Sequence, residues 1–399
     1  MKTLYKIPFV LLLSLAMFVC GCKQETHYVE TALKPHVESG KLPGVISVLV
    51  DETANKQDVA VMGWANVEKK TPISMDQMFM QCSQTKGFCG VTIAMLVEEG
   101  KISLDEPVSK YLPEFKEMKV LVKDKKTGKT SLVPAKNQIT IRMVMNHTAG
   151  FPFEIPSKKV KGWPGLSLRD TAKEAASEPL LFEPGTRTQY SNTGIDIGAA
   201  VIEVVTKQPW DVFLKERVLL PLGMKNTTFN PSDEQLKNVI SMYKISKNKA
   251  PEFTLFNKWM PLPHNGPTVF PSAGAGLWTT ANDQLKFYKM LMNLGIGDNG
   301  VRIMKEETVK NLLASSTRPE KMEKYSLGLS VQGNGWFGHG GAWNTNCKVN
   351  WQTKQLQLWA VQLLNPKDGT WHKDYKKAVD QFFNGNAEKG EDKYVGRMK

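Results

Sequence analysis

The sequence predicts an α+β fold in which strands from both ends of the chain form one antiparallel sheet flanked by helices. The middle of the chain is expected to insert a mostly helical domain. Two observations lead to this prediction. Apolar runs with strand-like alternation lie near residues 43–67 and again near 325–365. Between them, apolar residues recur mainly with the spacing of buried helices.

The elements follow one another in a definite order. The first half is expected to contain a helix at 27–42, strands at 43–52 and 58–67, a buried central helix from Ser83 to Gly100, a loop with a short helix at 102–115, an exposed hairpin at 116–141 and a helix within 139–152. The second half is expected to contain helices at 166–180 and 193–217, a polar cover over a cleft at 225–265, a glycine-rich turn, strand and helix from 272, and a last helix at 371–384. The predicted α/β part covers 28–80 and 270–385, the helical part covers 81–269, and a charged tail follows at 386–399.

The N-terminus has the pattern of an export signal. Two lysines precede an apolar run over residues 7–19, which is too short to span a bilayer. The run ends in LAMFVCGCKQ, and an apolar residue three positions before a cysteine is typical of a bacterial lipoprotein signal. We expect residues 1–21 to be a signal peptide and Cys22 to carry a lipid that anchors the exported protein to a membrane of the cell envelope. Modification at Cys20, or cleavage without a lipid, are the alternatives.

The charge balance does not indicate a nucleic-acid partner. The formal net charge is +13, but the lysines cluster in stretches such as FKEMKVLVKDKKTGKT and in the tail, without interleaved aromatic residues. We interpret the excess as a solvated surface with some affinity for anionic polymers of the envelope.

Three cysteines lie beyond the N-terminal segment, namely Cys82, Cys89 and Cys347. Their scattered positions do not form a metal site, and neither a metal nor another cofactor is expected. On one helix, Cys82 and Cys89 would lie about 10.5 Å apart, which is beyond the reach of a disulfide bond. A bridge from either of them to Cys347 stays open.

The main chemical signal lies in the stretch CSQTKGFCGVTIAMLVEEG, where Ser83 and Lys86 open an apolar run. Residues three apart share a helix face, and a helix that is apolar almost all round is buried. A partly desolvated Lys86 can lose its proton near neutral pH and activate Ser83 as a nucleophile. The alternative is an ordinary helix start, with Ser83 as the N-cap and Lys86 pointing to solvent. Two other Ser-x-x-Lys pairs, at Ser241 and Ser246, lie in a polar stretch where a solvated lysine is a poor base.

Two further motifs follow along the chain. Residues 190–192 form a Tyr-Ser-Asn motif in a turn-rich loop between two predicted helices, and residues 339–341 form a His-Gly-Gly motif on a glycine-rich strand. This ordered set resembles the serine β-lactamase and penicillin-binding protein superfamily. The resemblance is greatest to its class C β-lactamase-related group of esterases, D-aminopeptidases and β-lactamases. NHTAGF, FEPGTRTQYSNTG, PLGMKNTTF and SAGAGLWTTANDQLKF are similar to secondary signatures of that group, and the resemblance extends over residues 28–385.

The resemblance implies a β-lactamase/transpeptidase-like fold and covalent catalysis. Ser83 would attack a carbonyl carbon and become acylated, while Lys86 and Tyr190 would share the general-base and general-acid work. Asn192 would orient either the substrate amide or the lysine.

The resemblance also implies an oxyanion hole made by the backbone N–H groups of Ser83 and Ala342. Gly340 and Gly341 would let their strand approach the substrate closely, and His339 would line the pocket.

Two departures from the group's usual pattern bear on the activity. Cys82 precedes the nucleophile where relatives usually have serine, glycine or alanine, and we expect it to be a small buried residue rather than a second nucleophile. The third motif is His-Gly-Gly instead of Lys-Thr-Gly, so a fixed cation for a β-lactam carboxylate is missing, and a neutral His339 replaces it poorly. His147, in NHTAGF, is interpreted as a structural residue hydrogen-bonded to the backbone. A second His-x-Gly at 264–266 lies in the polar cover and is discounted.

The sequence therefore predicts a serine hydrolase that works through an acyl-enzyme on a small ester or a D-amino-acid-type amide. The expected partners are a small-molecule or peptide substrate and, through the lipid anchor, a membrane. A DD-peptidase of the penicillin-binding type and a class C-like β-lactamase are the closest alternatives. A catalytically silent binding protein on the same fold is an alternative of a different class.

Overall fold

The computed structural model describes residues 27–155, 166–245, 253–255, 270–314, 325–364 and 370–385. Some of the predictions concern other residues. The signal peptide at 1–21, the lipid acceptor Cys22, the tail at 386–399, the pair beginning at Ser246, and residues 246–252 and 256–265 of the polar cover lie outside the described residues. Among the residues that are described, no helix is both long and apolar enough to cross a membrane.

Strands and helices follow one another in groups along the described chain. The strands are β1 (Gly44–Asp51), β2 (Lys56–Asn66), β3 (Thr71–Pro72), β4 (Phe79–Met80), β5 (Lys119–Lys123), β6 (Thr130–Pro134), β7 (Tyr243–Ile245), β8 (Phe253–Leu255), β9 (Trp278–Thr279), β10 (Ser330–Gly333), β11 (Trp336–Gly341), β12 (Thr345–Asn350), β13 (Gln355–Ala360) and β14 (Leu363–Leu364). The α-helices are α1 (Tyr28–Glu38), α2 (Thr85–Glu98), α3 (Ile141–Met145), α4 (Leu168–Ser177), α5 (Asn192–Thr206), α6 (Trp210–Leu214), α7 (Asp233–Leu236), α8 (Ala281–Met292), α9 (Glu306–Thr308) and α10 (Thr370–Asn384). Cys82–Gln84, Val108–Lys110 and Pro113–Phe115 form 3₁₀ turns, while Lys215–Leu219 and Val309–Leu313 form π-helical turns.

The main sheet joins the two ends of the chain. Within the described residues it has seven strands in the order β10-β11-β12-β13-β1-β2-β3. Strand β1 pairs antiparallel with β2 on one side and with β13 on the other, so that Ile46 lies opposite Val61 and Ala360. The predicted antiparallel sheet built from both chain ends is therefore confirmed, while the boundaries of the inserted helical domain stay a prediction.

Helices cover the sheet on both faces. Val45 and Leu49 of β1 pack in one apolar cluster with residues of α1 and α10. Ile46 and Val48 pack in the larger cluster, to which α2 and α8 contribute. Because alternate residues of a strand point to opposite faces, all eight residues of β1 are buried. Fully burying a side chain such as valine or isoleucine is worth about 1.5–3 kcal/mol, so this double covering fixes the sheet on which the site is built.

Of the predicted elements, the hairpin at 116–141 is present in the structure, whereas the helix at 193–217 is divided in two. The expected hairpin at 116–141 is present as β5 and β6, which pair antiparallel and are mostly exposed. The helix expected at 193–217 is interrupted instead. Lys207 caps α5 in the left-handed region with φ of 57°, a common way for a helix to end. Pro209 then precedes the separate helix α6.

Candidate active site

Ser83 lies in the 3₁₀ turn Cys82–Gln84, which runs directly into the buried helix α2. Cys82 has φ of 50°, a conformation that costs a non-glycine residue free energy. The turn leaves Ser83 partly exposed, whereas the residues on either side of it are buried.

The alternative of an ordinary helix start is wrong. Lys86 is completely buried instead of pointing to solvent. The N-cap residue of α2 is Gln84, and it makes no side-chain capping hydrogen bond. The lysine of the pair that begins at Ser241 is Lys244, which is exposed.

The Lys86 amine connects three parts of the site. It donates hydrogen bonds to Ser83 Oγ at 3.3 Å, to Asn192 Oδ1 at 2.6 Å and to the Gly274 carbonyl at 2.5 Å. Burial lowers the pKa of this amine to about 7, and the carboxyl group of Asp196 opposes that effect. A large fraction of the amine is therefore neutral near pH 7, and a neutral amine can accept the proton of the Ser83 hydroxyl.

Tyr190 lies in the loop before α5 among other aromatic rings. Its ring centroid is 4.5 Å from that of His147 and 6.0 Å from that of Phe153, and Lys86 Nζ lies 4.7 Å from the centroid. Burial raises the pKa of the Tyr190 phenol above its usual value, and a hydrogen bond with Ser83 offsets only part of this rise. Tyr190 therefore stays protonated near neutral pH and can act as a proton donor.

His147 fixes the loop on both sides of Tyr190. Its Nδ1 accepts a hydrogen bond from the Ser191 N–H at 3.3 Å, and its carbonyl accepts one from the Gln189 N–H at 2.9 Å. The predicted hydrogen bonding of His147 to the backbone is therefore confirmed.

Helix α5 contributes two polar side chains that lie one turn apart, Asn192 and Asp196. Of the two roles expected for Asn192, the structure contains the contact with the lysine. Asp196 was not among the predicted site residues, although it is the one charged residue in the buried run 192–202 of this helix. Its Oδ1 accepts from the Gly274 N–H at 3.0 Å and from the Ser272 hydroxyl at 3.1 Å.

The His-Gly-Gly strand, β11, lies directly beside the nucleophile turn. A Cβ atom at Gly341 would lie 2.4 Å from the Gln81 carbonyl oxygen and 2.2 Å from Thr345 Oγ1, distances that real Cβ atoms do not reach. Thr345 Oγ1 in turn donates to the Gln81 carbonyl at 3.2 Å. The absence of a side chain at Gly341 thus lets the strand contact the residues that lead into Ser83.

His339 is nearly buried, and both of its ring nitrogens have partners. Because a carbonyl only accepts, Nδ1 carries the hydrogen and donates to the Gly340 carbonyl at 2.5 Å. Nε2 is then the acceptor for the Tyr325 hydroxyl at 2.7 Å. Burial lowers the pKa of the imidazole to about 3, so His339 is neutral at physiological pH. The Gly340 carbonyl thus sets the tautomer, and Tyr325, which no sequence pattern singles out, fills the other ring nitrogen.

Cys82 directly precedes the nucleophile in the chain and is buried. Its Sγ donates to the Met80 carbonyl at 3.8 Å, and burial raises the pKa of its thiol to about 12. A thiol that stays protonated is not a nucleophile, which agrees with the expected structural role. Cys82, Cys89 and Cys347 are buried free thiols, so the bridge to Cys347 left open by the sequence is not formed.

Comparison with known proteins identifies the family. The β-lactamase family matches residues 29–369. Because this match spans most of the sequence, the chain belongs to the β-lactamase family. It is a serine hydrolase of β-lactamase-related type, and this class includes esterases, amidases and penicillin-binding proteins.

Individual relatives agree with this membership. The Mycobacterium tuberculosis protein Rv1367c is 28% identical over 318 residues, which cover 78% of this chain and 76% of that protein. The solved structure of EstCE1, a hydrolase with promiscuous acyltransferase activity, superposes with a TM-score of 0.69 at 21% identity, covering 88% of this chain and 97% of its own. The D-amino acid amidase from Ochrobactrum anthropi SV3, complexed with D-phenylalanine, gives a TM-score of 0.68 at 19% identity, covering 90% and 99%. At these identities the two structures show the shared fold.

Proposed function

We propose that the protein hydrolyses small esters or D-amino-acid-type amides through an acyl-enzyme formed on Ser83. The observation that supports this most strongly is the Lys86 amine, which is completely buried and lies 3.3 Å from Ser83 Oγ. Burying an amine costs free energy, which a lysine with only a structural role avoids by reaching solvent. A base whose pKa lies near the working pH is suited to general-base catalysis.

In the acylation step, neutral Lys86 takes the proton of Ser83 while Oγ forms a bond to the substrate carbonyl carbon. The negative charge that develops on the carbonyl oxygen would be stabilised by the N–H groups of Ser83 and Ala342. As the tetrahedral intermediate collapses, the bond to the leaving alcohol or amine breaks. Tyr190, still a phenol, donates its proton to that leaving group and is reprotonated from Lys86.

In the deacylation step, water attacks the acyl carbon and gives one proton to the same pair of residues. The bond between Ser83 Oγ and the acyl carbon breaks, a carboxylic acid is released and the Ser83 hydroxyl is restored. The enzyme returns to its starting protonation state without a metal or an organic cofactor in either step.

The substrate class is inferred from the groups around Ser83. His339 is neutral and both its nitrogens already have partners, so it offers no cation for a substrate carboxylate. Phe153 is 47% exposed beside the Tyr190 ring and adds apolar surface next to the site. These features favour acyl groups without a carboxylate, and the hydrolase and the D-amino acid amidase among the similar structures support the two classes named.

A panel of three substrates separates this function from its alternatives. We expect p-nitrophenyl acetate and D-phenylalanine amide to be hydrolysed with higher kcat/KM than benzylpenicillin. Long-lived acylation by benzylpenicillin would instead indicate a DD-peptidase, and rapid turnover a class C-like β-lactamase. A protein that hydrolyses none of the three and forms no acyl-enzyme would be the silent binding protein.

Export, lipid attachment at Cys22 and a place in the cell envelope rest on the N-terminal sequence alone and stay predictions.

The pH dependence of the reaction is expected to follow the Lys86 amine. Because burial lowers its pKa to about 7, the protonated, inactive amine dominates below that pH and the neutral base dominates above it. On the acidic limb kcat/KM should therefore rise about tenfold per pH unit and level off above a midpoint near 7. The measurement is kcat/KM for an uncharged ester between pH 5 and 9. A rate that does not change across this range would contradict the assignment of Lys86 as the base.

A further inference from the structure

Asp196 is a buried carboxyl group to which the proposed reaction gives no role. It lies on α5, four residues after Asn192, and only 7% of it is exposed. Its hydrogen bonds reach the glycine-rich turn before β9, where the Ser272 hydroxyl and the Gly274 N–H both donate to it. This turn also supplies the carbonyl that accepts from Lys86.

The Gly274 residue is held from both sides. Its N–H is bonded to Asp196 at 3.0 Å, and its carbonyl accepts from Lys86 Nζ at 2.5 Å. A Cβ atom at Gly274 would lie 2.8 Å from Asn192 Cβ, so the turn can lie against α5 only because this residue has no side chain. One turn of α5 thus positions two of the three acceptors of the lysine, the Asn192 amide directly and the Gly274 carbonyl through Asp196.

We propose that Asp196 is a positioning residue for the lysine base, holding the Gly274 carbonyl against the amine and keeping a negative charge nearby. In this way it sets the pH range in which the Ser83–Lys86 pair works. The inference rests on the proposed function, because it assumes that Lys86 is the base for Ser83.

The other ionisable groups around the amine do not replace this charge. Among the described residues, those that face it are Cys82 from the nucleophile turn, Cys89 from α2, Glu154 from the loop before α4, Tyr190 from the loop before α5 and His339 from β11. Burial keeps both thiols and the phenol protonated and the imidazole neutral. Glu154 is exposed to solvent, where water screens its charge. Within the part of the chain that the structure describes, Asp196 is therefore the buried carboxyl group whose negative charge acts on Lys86.

The direction of the effect follows from these charges. Burial lowers the Lys86 pKa, and the Asp196 carboxylate opposes this. Burial likewise raises the pKa of Asp196 to about 7, and the lysine charge opposes that rise. Because the two groups interact, their titrations are coupled, and the amine loses its proton at a higher pH than it would without the anion. Removing the negative charge should therefore move the titration of the amine to lower pH.

The experiment compares the pH profile of kcat/KM for Asp196→Asn and Asp196→Ala with that of the wild type. Asparagine keeps an acceptor oxygen for the Gly274 N–H but removes the charge. In Asp196→Asn the plateau of kcat/KM at high pH should stay near the wild-type value, while the midpoint of the acidic limb falls by about one pH unit. The Asp196→Ala variant also releases the Gly274 turn. Its plateau of kcat/KM should fall about 10- to 100-fold, as expected when a catalytic group is misplaced.

A second variant keeps the carboxyl group in place. The hydrogen bond from the Ser272 hydroxyl lowers the Asp196 pKa, so Ser272→Ala should leave the carboxyl less ionised. Its midpoint should fall in the same direction as that of Asp196→Asn, by a smaller amount. This variant decides the question if Asp196→Asn does not fold.

The matched control is Asp283→Asn on α8. Asp283 is also buried and accepts from a backbone N–H, that of Asn226, and from the Thr227 hydroxyl. The Asp283→Asn variant is expected to leave the midpoint of the acidic limb of kcat/KM unchanged, even if its thermal stability falls. A midpoint that does not fall in Asp196→Asn, or in Ser272→Ala if the first variant fails to fold, would overturn the proposal, as would equal plateau losses for asparagine and alanine. A wild type without measurable hydrolysis would contradict the proposed function itself.

Discussion

Lys86→Met is expected to lower kcat/KM by about 10⁴- to 10⁶-fold, the scale of loss when the base of a serine nucleophile is removed. Ser83 keeps its hydroxyl in this variant but loses the group that takes its proton. Methionine is close to lysine in length and apolar, so it suits a side chain that is completely buried. The residual activity should also lose the acidic limb near pH 7, because the titrating amine is gone.

Lys354→Met provides the matched control for this change. The Lys354 amine is partly buried and likewise donates to a carbonyl and an asparagine side chain, the Met292 carbonyl at 3.0 Å and Asn293 Oδ1 at 3.1 Å. It lies outside the proposed site, so activity should stay near the wild-type value. Steady-state ester hydrolysis and circular dichroism of both variants provide the comparison. A folded Lys86→Met protein that retained activity within tenfold of the wild type would show that Lys86 is not the base.

Gly341→Ala is expected to lower kcat/KM by about 10²-fold or more and to destabilise the fold by about 1–3 kcal/mol. The new Cβ atom would meet the Gln81 carbonyl oxygen at 2.4 Å and Thr345 Oγ1 at 2.2 Å. Either β11 or the segment leading into Ser83 must then move. Such a shift would move Ser83 away from the Ala342 N–H and so widen the proposed oxyanion hole.

Gly340→Ala tests whether the effect belongs to this one contact. Its Cβ atom would have Asn346 Nδ2 as nearest neighbour, at 3.2 Å, and that side-chain end can shift by a few tenths of an ångström. We expect kcat/KM and the denaturant midpoint to change little in this variant. Equal losses for the two alanine variants would mean that the strand tolerates no side chain anywhere, and the specific role given to Gly341 would be wrong.

The predictable part of the fold depended on patterns that extend over many residues. The alternating runs near 43–67 and 325–365 predicted strands at both chain ends, and β1 indeed pairs with β2 and β13. The apolar character of α2 predicted its burial. The break after α5 was not predicted, although Pro209 is a signal for it. The residue that ends the helix in the left-handed conformation is Lys207, which is not glycine.

Within the site, the residues of the three motifs were recognised from side-chain chemistry and order along the chain, and the structure brings them together. Three other participants were missed, each for a physical reason. Gly274 lies in one of the secondary signatures, but it acts through its backbone carbonyl, a role that the residue type does not reveal. Asp196 resembles any single acid on an apolar helix until its partners are known. Tyr325 lies outside the named strands, and its hydroxyl meets His339 only in the folded chain.

The most direct measurement of the central claim, that Lys86 activates Ser83 as a nucleophile, is the mass of the protein after reaction with a fluorophosphonate, combined with peptide mapping. A single adduct is predicted on the peptide that contains Ser83, formed at a rate that rises with pH through about 7, and no adduct is predicted on Ser83→Ala. An unlabelled wild type, or an adduct that persists in Ser83→Ala, would contradict the claim.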